Sequence, residues 1–381
     1  MEKKIDVLIK GQGVVGMSLA LYLSQKRLHV ALSLDKKHTA LTPRQDVRYF
    51  ALNKKSKDTL EKINSWPKNQ NVTDLKDMQI FGDHSSELSF SPEQNSGPLA
   101  WIVKASALED QLMQNIEQQE HIVLLNNEVA DIEVPLTLIC EGKQSAMRKK
   151  LGVTFDTNHY QQHAFATLVD TGIQHQGKAL QWFIDKESGP EILGMLPCEG
   201  NESTHMSVVW SMPSKKAMNF QQKSHDEIAQ ELSVMTKNRY PQVKVLGPSA
   251  TWALSASKAK QWIGQLGTNR FWALAGDSAH TIHPLAGMGL NLGLGDVAEL
   301  VKVMDLRDEV QYWRKLGDQY LLRKYERARK TDILSSWYFC DSIQRLFAHS
   351  NGLVKTARNQ GLNSIQNLNF LKSFFMKHAG S

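Results

Sequence analysis

Residues 274 to 296, LAGDSAHTIHPLAGMGLNLGLGD, combine five glycines with two aspartates, two histidines and a proline. The strand-like FWALAG, residues 271–276, leads into this run and places Asp277 at the carboxyl end of a buried strand, where open α/β sheets bind ligands. A carboxylate in this position can accept hydrogen bonds from the hydroxyl groups of a ribose or ribityl chain. From Gly287 onward the pattern predicts a helix start, whose free amide groups can stabilise negative charge on a flat ring system. The segment therefore predicts a nucleotide-cofactor site.

A second glycine-rich segment, GQGVVG, occupies residues 11 to 16. Its spacing gives each glycine a separate role, since Gly11 makes the turn, Gly13 lets the backbone approach a pyrophosphate, and Gly16 lets the next helix pack on a strand. The amide groups of Val14 and Val15 then face the anion at the helix N-terminus. Two such signatures in one chain would be redundant unless one long cofactor joins them.

The elements around GQGVVG are typical of a βαβ unit. IDVLI predicts a buried strand, MSLALYLSQKR predicts a helix over 17–27, and LHVALSL predicts a second strand over 28–34. Asp35 follows this second strand at about the distance from the glycines at which an acidic residue binds the adenosine ribose. A solvated strand end is the alternative interpretation of Asp35.

The rest of the chain predicts a second kind of sheet and a helical end. From about residue 153 to 255, segments of alternating apolar and polar residues are separated by glycine, proline and polar turns, which is typical of antiparallel sheet. The expected fold class is therefore α/β, with a Rossmann-like dinucleotide-binding domain, an inserted antiparallel β-sheet domain and a helical C-terminus.

Composition narrows the class of protein. The 381-residue chain has a formal net charge of +6, and its basic residues concentrate in the last third. No zinc-finger or RNP signature accompanies them, so we expect an acidic cofactor or an anionic surface as the partner, and no nucleic acid.

Cys140, Cys198 and Cys340 fit no metal or disulfide spacing and are predicted to be reduced packing residues. No signal-peptide pattern or bilayer-length apolar run is evident, so we expect a cytoplasmic protein.

Three segments together resemble the signature regions of class A flavoprotein monooxygenases, which share the para-hydroxybenzoate hydroxylase fold: GQGVVG, CEGKQSAMR and GDSAHTIHPLAGMGLNLGLGD. HTIHPLAGMGLNLG, YQQHAFATLV, LPCEGNESTHMSVVWS and LLRKYERARK are similar, more narrowly, to the ubiquinone-biosynthesis hydroxylases. The resemblance runs over nearly the whole chain. It implies an FAD-binding domain over 1–75, 100–152 and 263–310, a substrate domain over 76–99 and 153–262, and a helical region over 311–381.

The resemblance implies noncovalently bound FAD and NAD(P)H as reductant. One atom of O2 would be inserted, through a flavin C4a-hydroperoxide, into the aromatic ring of a polyprenylated phenol or quinol. By the same resemblance Asp277 binds the ribityl chain, Arg48 lies near the flavin and its phosphates, and Pro284 lies against the isoalloxazine ring. The predicted cofactor-binding residues are Gly11, Gly13, Val14, Val15, Gly16, Asp35, Arg48, Asp277, Pro284, Gly287, Met288, Gly289, Leu290 and Asn291. Pro284 and His283 are the predicted catalytic residues, and no metal site is predicted.

His280 and His283 allow two interpretations. A histidine near the flavin could relay the proton of the substrate phenol, or it could cap and pack the loop. We favour packing for His280, and both interpretations stay open for His283. A metal pair is disfavoured because nothing supplies the other ligands.

The chain departs from the family pattern at several positions. Glu141-Gly142 stands where the family has Asp-Gly, Lys104-Ala105-Ser106 stands where it has Glu-Asn-Arg, and Met288 replaces a glutamine. The interval from HIVLL to CEG is also short. These departures keep two alternatives open: a non-catalytic flavoprotein or assembly subunit of a ubiquinone-biosynthesis complex, and a hydroxylase of the same fold that acts on a soluble aromatic.

Two segments suggest a peripheral contact with the inner face of the membrane. They are the basic helix WRKLGDQYLLRKYERARK and the terminal LNFLKSFFMKHAGS, whose leucines and phenylalanines fall at helical spacing beside lysines. Such elements can lie in the headgroup region of a bilayer. The alternative is that the terminal aromatics pack against the flavin domain, with partner proteins delivering the lipid substrate.

Overall fold

A computed structural model describes residues 4–34, 46–82, 87–92, 97–126, 132–184, 186, 188–282 and 289–348, with side chains of the last helix described as far as Leu334. In chain order the helices are α1 (Val14–Gln25), α2 (Lys54–Lys62), α3 (Ala105–Glu117), α4 (Ala146–Lys150), α5 (Ser214–Phe220), α6 (His225–Met235), α7 (Gly289–Val310) and α8 (Gln319–Ala348). In chain order the strands are β1 (Val7–Lys10), β2 (Val30–Leu34), β3 (Tyr49–Leu52), β4 (Val72–Leu75), β5 (Asp77–Phe81), β6 (Glu87–Phe90), β7 (Ala100–Lys104), β8 (Ile122–Asn126), β9 (Leu136–Ile139), β10 (Phe155–Asp170), β11 (Lys178–Ile184), β12 (Glu191–Pro197), β13 (His205–Pro213), β14 (Lys244–Val245), β15 (Ala250–Ala259), β16 (Ile263–Gly267), β17 (Arg270–Leu274) and β18 (His280–Thr281). None of the helices described is long and apolar enough to cross a membrane.

A six-stranded sheet, in the order β16-β17-β9-β1-β2-β8, forms the centre of the first domain. Its neighbouring strands are parallel except for the antiparallel pair β16 and β17. Parallel strands of this kind are covered on both faces, and β9 is accordingly buried along its whole length. Because β1, β9 and β17 run in the same direction, the segments that follow them meet at one edge of the sheet.

A larger sheet, in the order β18-β15-β10-β13-β12-β11-β5-β6 with β14 beside β10, forms the second domain. Its pairs are antiparallel apart from β5 with β11. Phe165, Trp210 and Phe220 form the centre of its core, and α5 and α6 add further apolar side chains to it. A small antiparallel sheet, β3-β7-β4, shares an apolar cluster with this domain.

These sheets confirm the predicted fold class, in which an antiparallel domain is inserted into a Rossmann-like domain. The first helix begins at Val14 and not at residue 17, because Gly13 is extended and acts as its N-cap. The separate three-stranded sheet was not predicted from the sequence. Cys140 and Cys198 are buried and free of disulfides, and the proposed domain boundaries stay a prediction.

Candidate cofactor site

The three signature segments GQGVVG, CEGKQSAMR and GDSAHTIHPLAGMGLNLGLGD, here numbered in chain order, come together at the carboxyl edge of the central sheet. The first and second are adjacent because β1 and β9 pair in parallel. The second meets the third where the Gly142 amide donates a hydrogen bond to Ser278 Oγ at 3.1 Å. The first meets the third at Val15: Cβ atoms added to Gly276 and Gly293 would lie 3.1 and 2.7 Å from its Cγ2. Segments far apart in sequence therefore form one continuous surface.

The three glycines of GQGVVG have different surroundings. Gly11 has a φ of +111°, and a Cβ there would overlap the carbonyl group of Cys140. A Cβ on Gly16 would overlap the carbonyl oxygen of Gly11. Gly13, by contrast, has an ordinary φ of −73°, and no atom of the described residues lies within 4 Å of an added Cβ. Protein packing thus explains the first and third glycines, and the open space beside Gly13 suits close approach of a pyrophosphate.

The N-terminus of α1 supplies backbone donors beside Gly13. Because its N-cap is a glycine, the helix has no side-chain cap, and its first amide groups include those of Val14 and Val15. The Val14 side chain is buried, so it is the backbone of this turn that can bind an anion.

Asp277 lies in a 3₁₀ turn, Gly276–Ser278, that follows β17. The strand residues Trp272 and Leu274 are buried, but solvent reaches Asp277 itself. This corrects the expectation that the aspartate is buried together with the strand end. Protein atoms nevertheless surround the carboxylate closely, and this loss of hydration raises the pKa of Asp277. A carboxylate that is accessible yet closely surrounded is suited to accept hydrogen bonds from a ligand in a cleft.

A fully buried carboxylate, Asp296, binds the backbone of this turn. Its Oδ2 accepts a hydrogen bond from the Gly276 amide at 2.7 Å and lies 2.7 Å from Nε2 of His280, while its Oδ1 accepts from Arg329 Nε at 2.7 Å. Burial by itself raises the pKa of Asp296, but His280 and Arg329 outweigh burial and hold the pKa below its ordinary value. Asp296 is therefore the anion of a buried charge cluster that joins the turn to α7 and α8.

His280 belongs to the core and not to the accessible surface. Its ring is 2% exposed and stacks on the indole of Trp262 at a centroid distance of 5.2 Å. The geometry agrees with the packing interpretation of this histidine.

Sequence reasoning missed Asp296 and Arg329, although both stand within motifs that it singled out. Arg329 shares a helical face with the buried residues Leu322 and Tyr325, and a charged residue at a core position is rarely buried unless it is paired. That spacing was the available signal. Gly295 makes room for the arginine, since a Cβ there would lie 2.8 Å from Nη2 of Arg329.

Arg48 already has acidic partners in this structure. Its Nε and Nη2 donate to the two carboxylate oxygens of Asp46 at 2.8 and 2.7 Å, and Nη2 also donates to Glu109 at 3.3 Å. The hydrogen bonds to Asp46 raise the pKa of Arg48. The Arg48 side chain is 43% exposed although Asp46 is nearly buried, so a cofactor phosphate can approach the guanidinium without breaking this bidentate pair.

Asn291 joins the start of α7 to α2. Its Oδ1 accepts from the Asn53 amide at 3.0 Å and from Ser56 Oγ at 2.7 Å, and its Nδ2 donates to the Ala51 carbonyl at 2.7 Å. The side chain is thus engaged within the protein. Among the described residues, no atom lies within 4 Å of a Cβ added to Gly289 beside it, which leaves the backbone of this first turn as the part suited to a flat ring.

Two departures from the family pattern have partners within the chain. Glu141 accepts hydrogen bonds from Ser145 Oγ at 2.6 Å and from the Met147 amide at 2.8 Å, which caps α4. Lys104 donates to Glu199 at 3.2 Å, and Tyr49 donates to the same carboxylate oxygen at 2.8 Å. Both substituted side chains therefore form hydrogen bonds within the protein.

Several predicted positions lie outside the described residues: Asp35, His283, Pro284, Gly287 and Met288. The predicted catalytic pair is among them, as is the terminal segment LNFLKSFFMKHAGS. Within the described ranges, no group of three or more His, Cys, Asp or Glu side chains could hold a metal ion.

Comparison with known proteins agrees with this arrangement. A ubiquinone hydroxylase, UbiL, of Rhodospirillum rubrum is 26% identical over 401 aligned residues, which cover 99% of this chain and 90% of that protein. The 3-demethoxyubiquinol 3-hydroxylase of Escherichia coli is 24% identical, with 98% of each chain covered. The crystal structure of p-nitrophenol 4-monooxygenase PnpA from Pseudomonas putida DLL-E4 superimposes with a TM-score of 0.74 at 15% identity, covering 100% of this chain and 99% of that one.

The fold and the converging glycine segments define a dinucleotide-binding flavoprotein. The family profile described as FAD binding domain matches residues 111–332, more than half of the chain, so this protein belongs to that family. FAD as cofactor and the class of FAD-dependent aromatic monooxygenase are confirmed.

Proposed function

We propose that this protein hydroxylates the aromatic ring of a polyprenylated phenol or quinol in ubiquinone biosynthesis, with NAD(P)H as reductant and O2 as the source of oxygen. The observation that carries the proposal is the convergence of GQGVVG, the Glu141-Gly142 turn and the Asp277 turn on one surface. The substrate class comes from the names of the two bacterial relatives, which align over nearly the whole chain.

The donor set of this surface suits FAD. We assign the open backbone at Gly13 and the α1 amide groups of Val14 and Val15 to the pyrophosphate, because backbone donors at a helix N-terminus match its charge. We assign the Asp277 carboxylate to the ribityl hydroxyls and Arg48 to a phosphate. Asp35 is assigned to the adenosine ribose.

The start of α7 is assigned to the isoalloxazine ring. The open backbone at Gly289 permits close approach, and the amide groups of Leu290 and Asn291 stabilise negative charge there through the helix dipole. Gly287 and Met288 are assigned to the same contact, with Pro284 against the ring and His283 as the proton relay. FAD, when bound, supplies the redox chemistry, while these residues orient the ring and exclude water.

The departures from the family pattern leave the residues assigned to FAD in place. Lys104 binds Glu199, and Glu141 caps α4, so both changes are absorbed by contacts within the protein. Gly13 and Asp277, which would contact the cofactor directly, keep the residue types that the chemistry needs.

A polyprenyl tail keeps the substrate in the bilayer, so we propose that the protein works peripherally at the inner face of the membrane. Partner proteins of the same biosynthetic route could instead present the lipid. A soluble aromatic substrate is the competing possibility within the same fold, and activity with and without a prenyl tail separates the two.

The test uses purified full-length protein. We expect a yellow protein that releases its FAD on acid precipitation and oxidises NAD(P)H faster when a prenylated phenol is added. Equal stimulation by the unprenylated phenol would favour the soluble-aromatic function. Colourless protein that still binds partners would favour the assembly role. Mass spectrometry of the quinone intermediate that accumulates when the gene is deleted then identifies the hydroxylation step.

A further inference from the structure

A basic groove lies at the far end of the central sheet from the cofactor edge. It has a volume of about 490 Å³ and lies where the first turns of α8 meet the β16–β17 hairpin. Phe271, near the start of β17, lines it, whereas Asp277 follows the other end of that strand. At about 3.3 Å per residue the strand alone separates Phe271 from Leu274 by roughly 10 Å, and Asp277 lies beyond Leu274. The groove is therefore separate from the surface assigned to FAD.

One face of α8 forms a wall of the groove. Tyr320, Arg323, Lys324 and Arg327 fall at positions i, i+3, i+4 and i+7 and all line it. The other face of the same turns packs into the core, where Leu321, Leu322 and Tyr325 are fully buried. Folding thus fixes the helix through its apolar face and presents the cationic face outward.

The charges of the groove are unbalanced. Arg314 joins the three cations of α8, and the acidic residue of the lining, Asp318, pairs with Arg314 at 3.2 Å. Arg323 and Arg327 are exposed, and among the described residues neither has an acidic partner. The groove is suited to an anion with several oxygens, because each guanidinium can donate more than one hydrogen bond.

Two exposed aromatic residues directly precede Arg314 of the groove in the chain. Tyr312 and Trp313, in the loop before α8, are 74% and 66% exposed and pack against each other edge to face. Val310 and Tyr320, at the two ends of the same stretch, are also exposed. Protruding Trp and Tyr side chains have an apolar body and a polar tip, a combination suited to the headgroup level of a bilayer.

We propose that this surface, the groove together with Tyr312 and Trp313, docks the protein on an anionic phospholipid bilayer. Lipid phosphates would lie among the cations of α8, and the two rings would enter the headgroup region. Charge complementarity selects an anionic partner, and the exposed ring pair selects a lipid surface over a free phosphate. The inference rests on the peripheral membrane placement proposed above and identifies the surface that makes the contact. Because the test below needs no turnover, its failure is distinguishable from failure of the hydroxylase function.

The test measures sedimentation of the FAD-loaded full chain with vesicles, without turnover. We expect binding to phosphatidylcholine vesicles that contain phosphatidylglycerol, weak binding to phosphatidylcholine alone, and weakening as salt screens the cations. Each cation near such a surface is worth about fivefold in affinity, so Arg323→Gln/Arg327→Gln should bind about 25-fold more weakly. Lys62→Gln/Lys215→Gln removes the same charge from exposed positions on α2 and α5 and should bind within about twofold of the wild type.

A second pair of variants tests the rings. Trp313→Ala should weaken vesicle binding by about tenfold, consistent with loss of a large apolar contact, whereas Met218→Ala, at a residue 57% exposed on α5, should not. Flavin absorbance of every variant monitors folding independently of binding. The proposal is overturned if the intact protein ignores anionic vesicles at low salt, if both charge variants lose binding equally, or if inorganic phosphate at millimolar levels abolishes binding while Trp313→Ala leaves it unchanged. Capture by an acidic protein without vesicle binding would likewise overturn it.

Discussion

The first and last glycine-rich segments reach the same surface by different physical means. GQGVVG is shaped by contacts among backbone atoms, with Gly16 lying against Gly11 and Gly11 against Cys140. The turn at Gly276 instead depends on a buried carboxylate from α7, which is itself balanced by Arg329 of α8. One half of the cofactor surface is therefore fixed by sterics within a single βαβ unit, and the other half by charges from three separate elements.

The largest effect should come from breaking the charged half. Asp296→Asn keeps the shape of the side chain but removes the fully buried anion that pairs with Arg329, and loss of one partner of a buried pair costs about 3 to 5 kcal/mol. Asp332→Asn is the matched control, because it removes a second carboxylate from the same arginine at a position 64% exposed. That variant should lose less than about 1 kcal/mol. Urea unfolding measures both, and similar losses would contradict the assignment of Asp296 as the central charge.

The pH dependence of the same cluster sharpens this result. The pKa of Asp296 is lower in the folded state than in the unfolded chain. The stability that the Asp296 carboxylate contributes is therefore complete above the unfolded-state pKa of about 3.9, and it is lost as the pH falls through the folded-state pKa. The wild type should therefore keep its advantage over Asp296→Asn at neutral pH and lose it only below about pH 4. An advantage that is already lost near pH 6 would contradict the assignment of Asp296 as the group whose negative charge stabilises this cluster.

The next largest effect is expected in GQGVVG, the half of the cofactor surface that is fixed by steric contacts. Substitutions at Gly16 and Gly13 should there separate effects on folding from effects on FAD binding. Gly16→Ala forces a Cβ into the Gly11 carbonyl, so we expect a loss of about 3 kcal/mol in stability or no folded protein. Gly13→Ala has room for its Cβ and an ordinary φ, so stability should change by less than about 1 kcal/mol. Its FAD affinity should nevertheless fall at least about tenfold. Flavin fluorescence titration of folded Gly13→Ala decides this, and unchanged affinity would remove Gly13 from the site.

The contrast between the two halves also explains what could be predicted from the sequence. The roles of Gly11 and Gly16 follow from local spacing, and the order of strand, loop and helix around them makes the pattern specific. The Asp296–Arg329 pair spans 33 residues, and the Lys104–Glu199 pair spans 95. Such pairings depend on how separate elements pack, which hydrophobic periodicity does not encode. The solvent accessibility of Asp277 was mispredicted for the same reason, since only the folded edge of the sheet determines it.

A smaller effect should distinguish the two aspartates assigned to FAD hydroxyl groups. Asp277→Ala removes a carboxylate that the protein surrounds closely, and charge-assisted hydrogen bonds there are worth about 1.5 to 3 kcal/mol. Asp35→Ala should lose less FAD, because we expect Asp35 at a solvated strand end, whereas desolvation already raises the pKa of Asp277. The FAD content of the purified variants gives the ranking, and equal retention would contradict it.

The smallest effect is expected at Glu141, between the two halves. Glu141→Asp restores the residue type of the family but shortens the side chain that caps α4 through Ser145 and Met147. We expect stability to fall by about 1 kcal/mol, the typical worth of a cap, with FAD retained. Thermal unfolding of the holoprotein measures this. A more stable variant would show that the longer side chain is not the better cap in this chain.

Hydroxylation of a prenylated ring at this surface is tested most directly by isotope incorporation. Purified FAD-loaded protein is given NAD(P)H, a prenylated phenol and isotopically labelled O2, and the product is analysed by mass spectrometry. We predict a product that is heavier by one labelled oxygen atom, with label absent when only the water is labelled. NAD(P)H consumption that yields hydrogen peroxide and unchanged phenol, for every prenylated phenol offered, would contradict the proposed hydroxylase function.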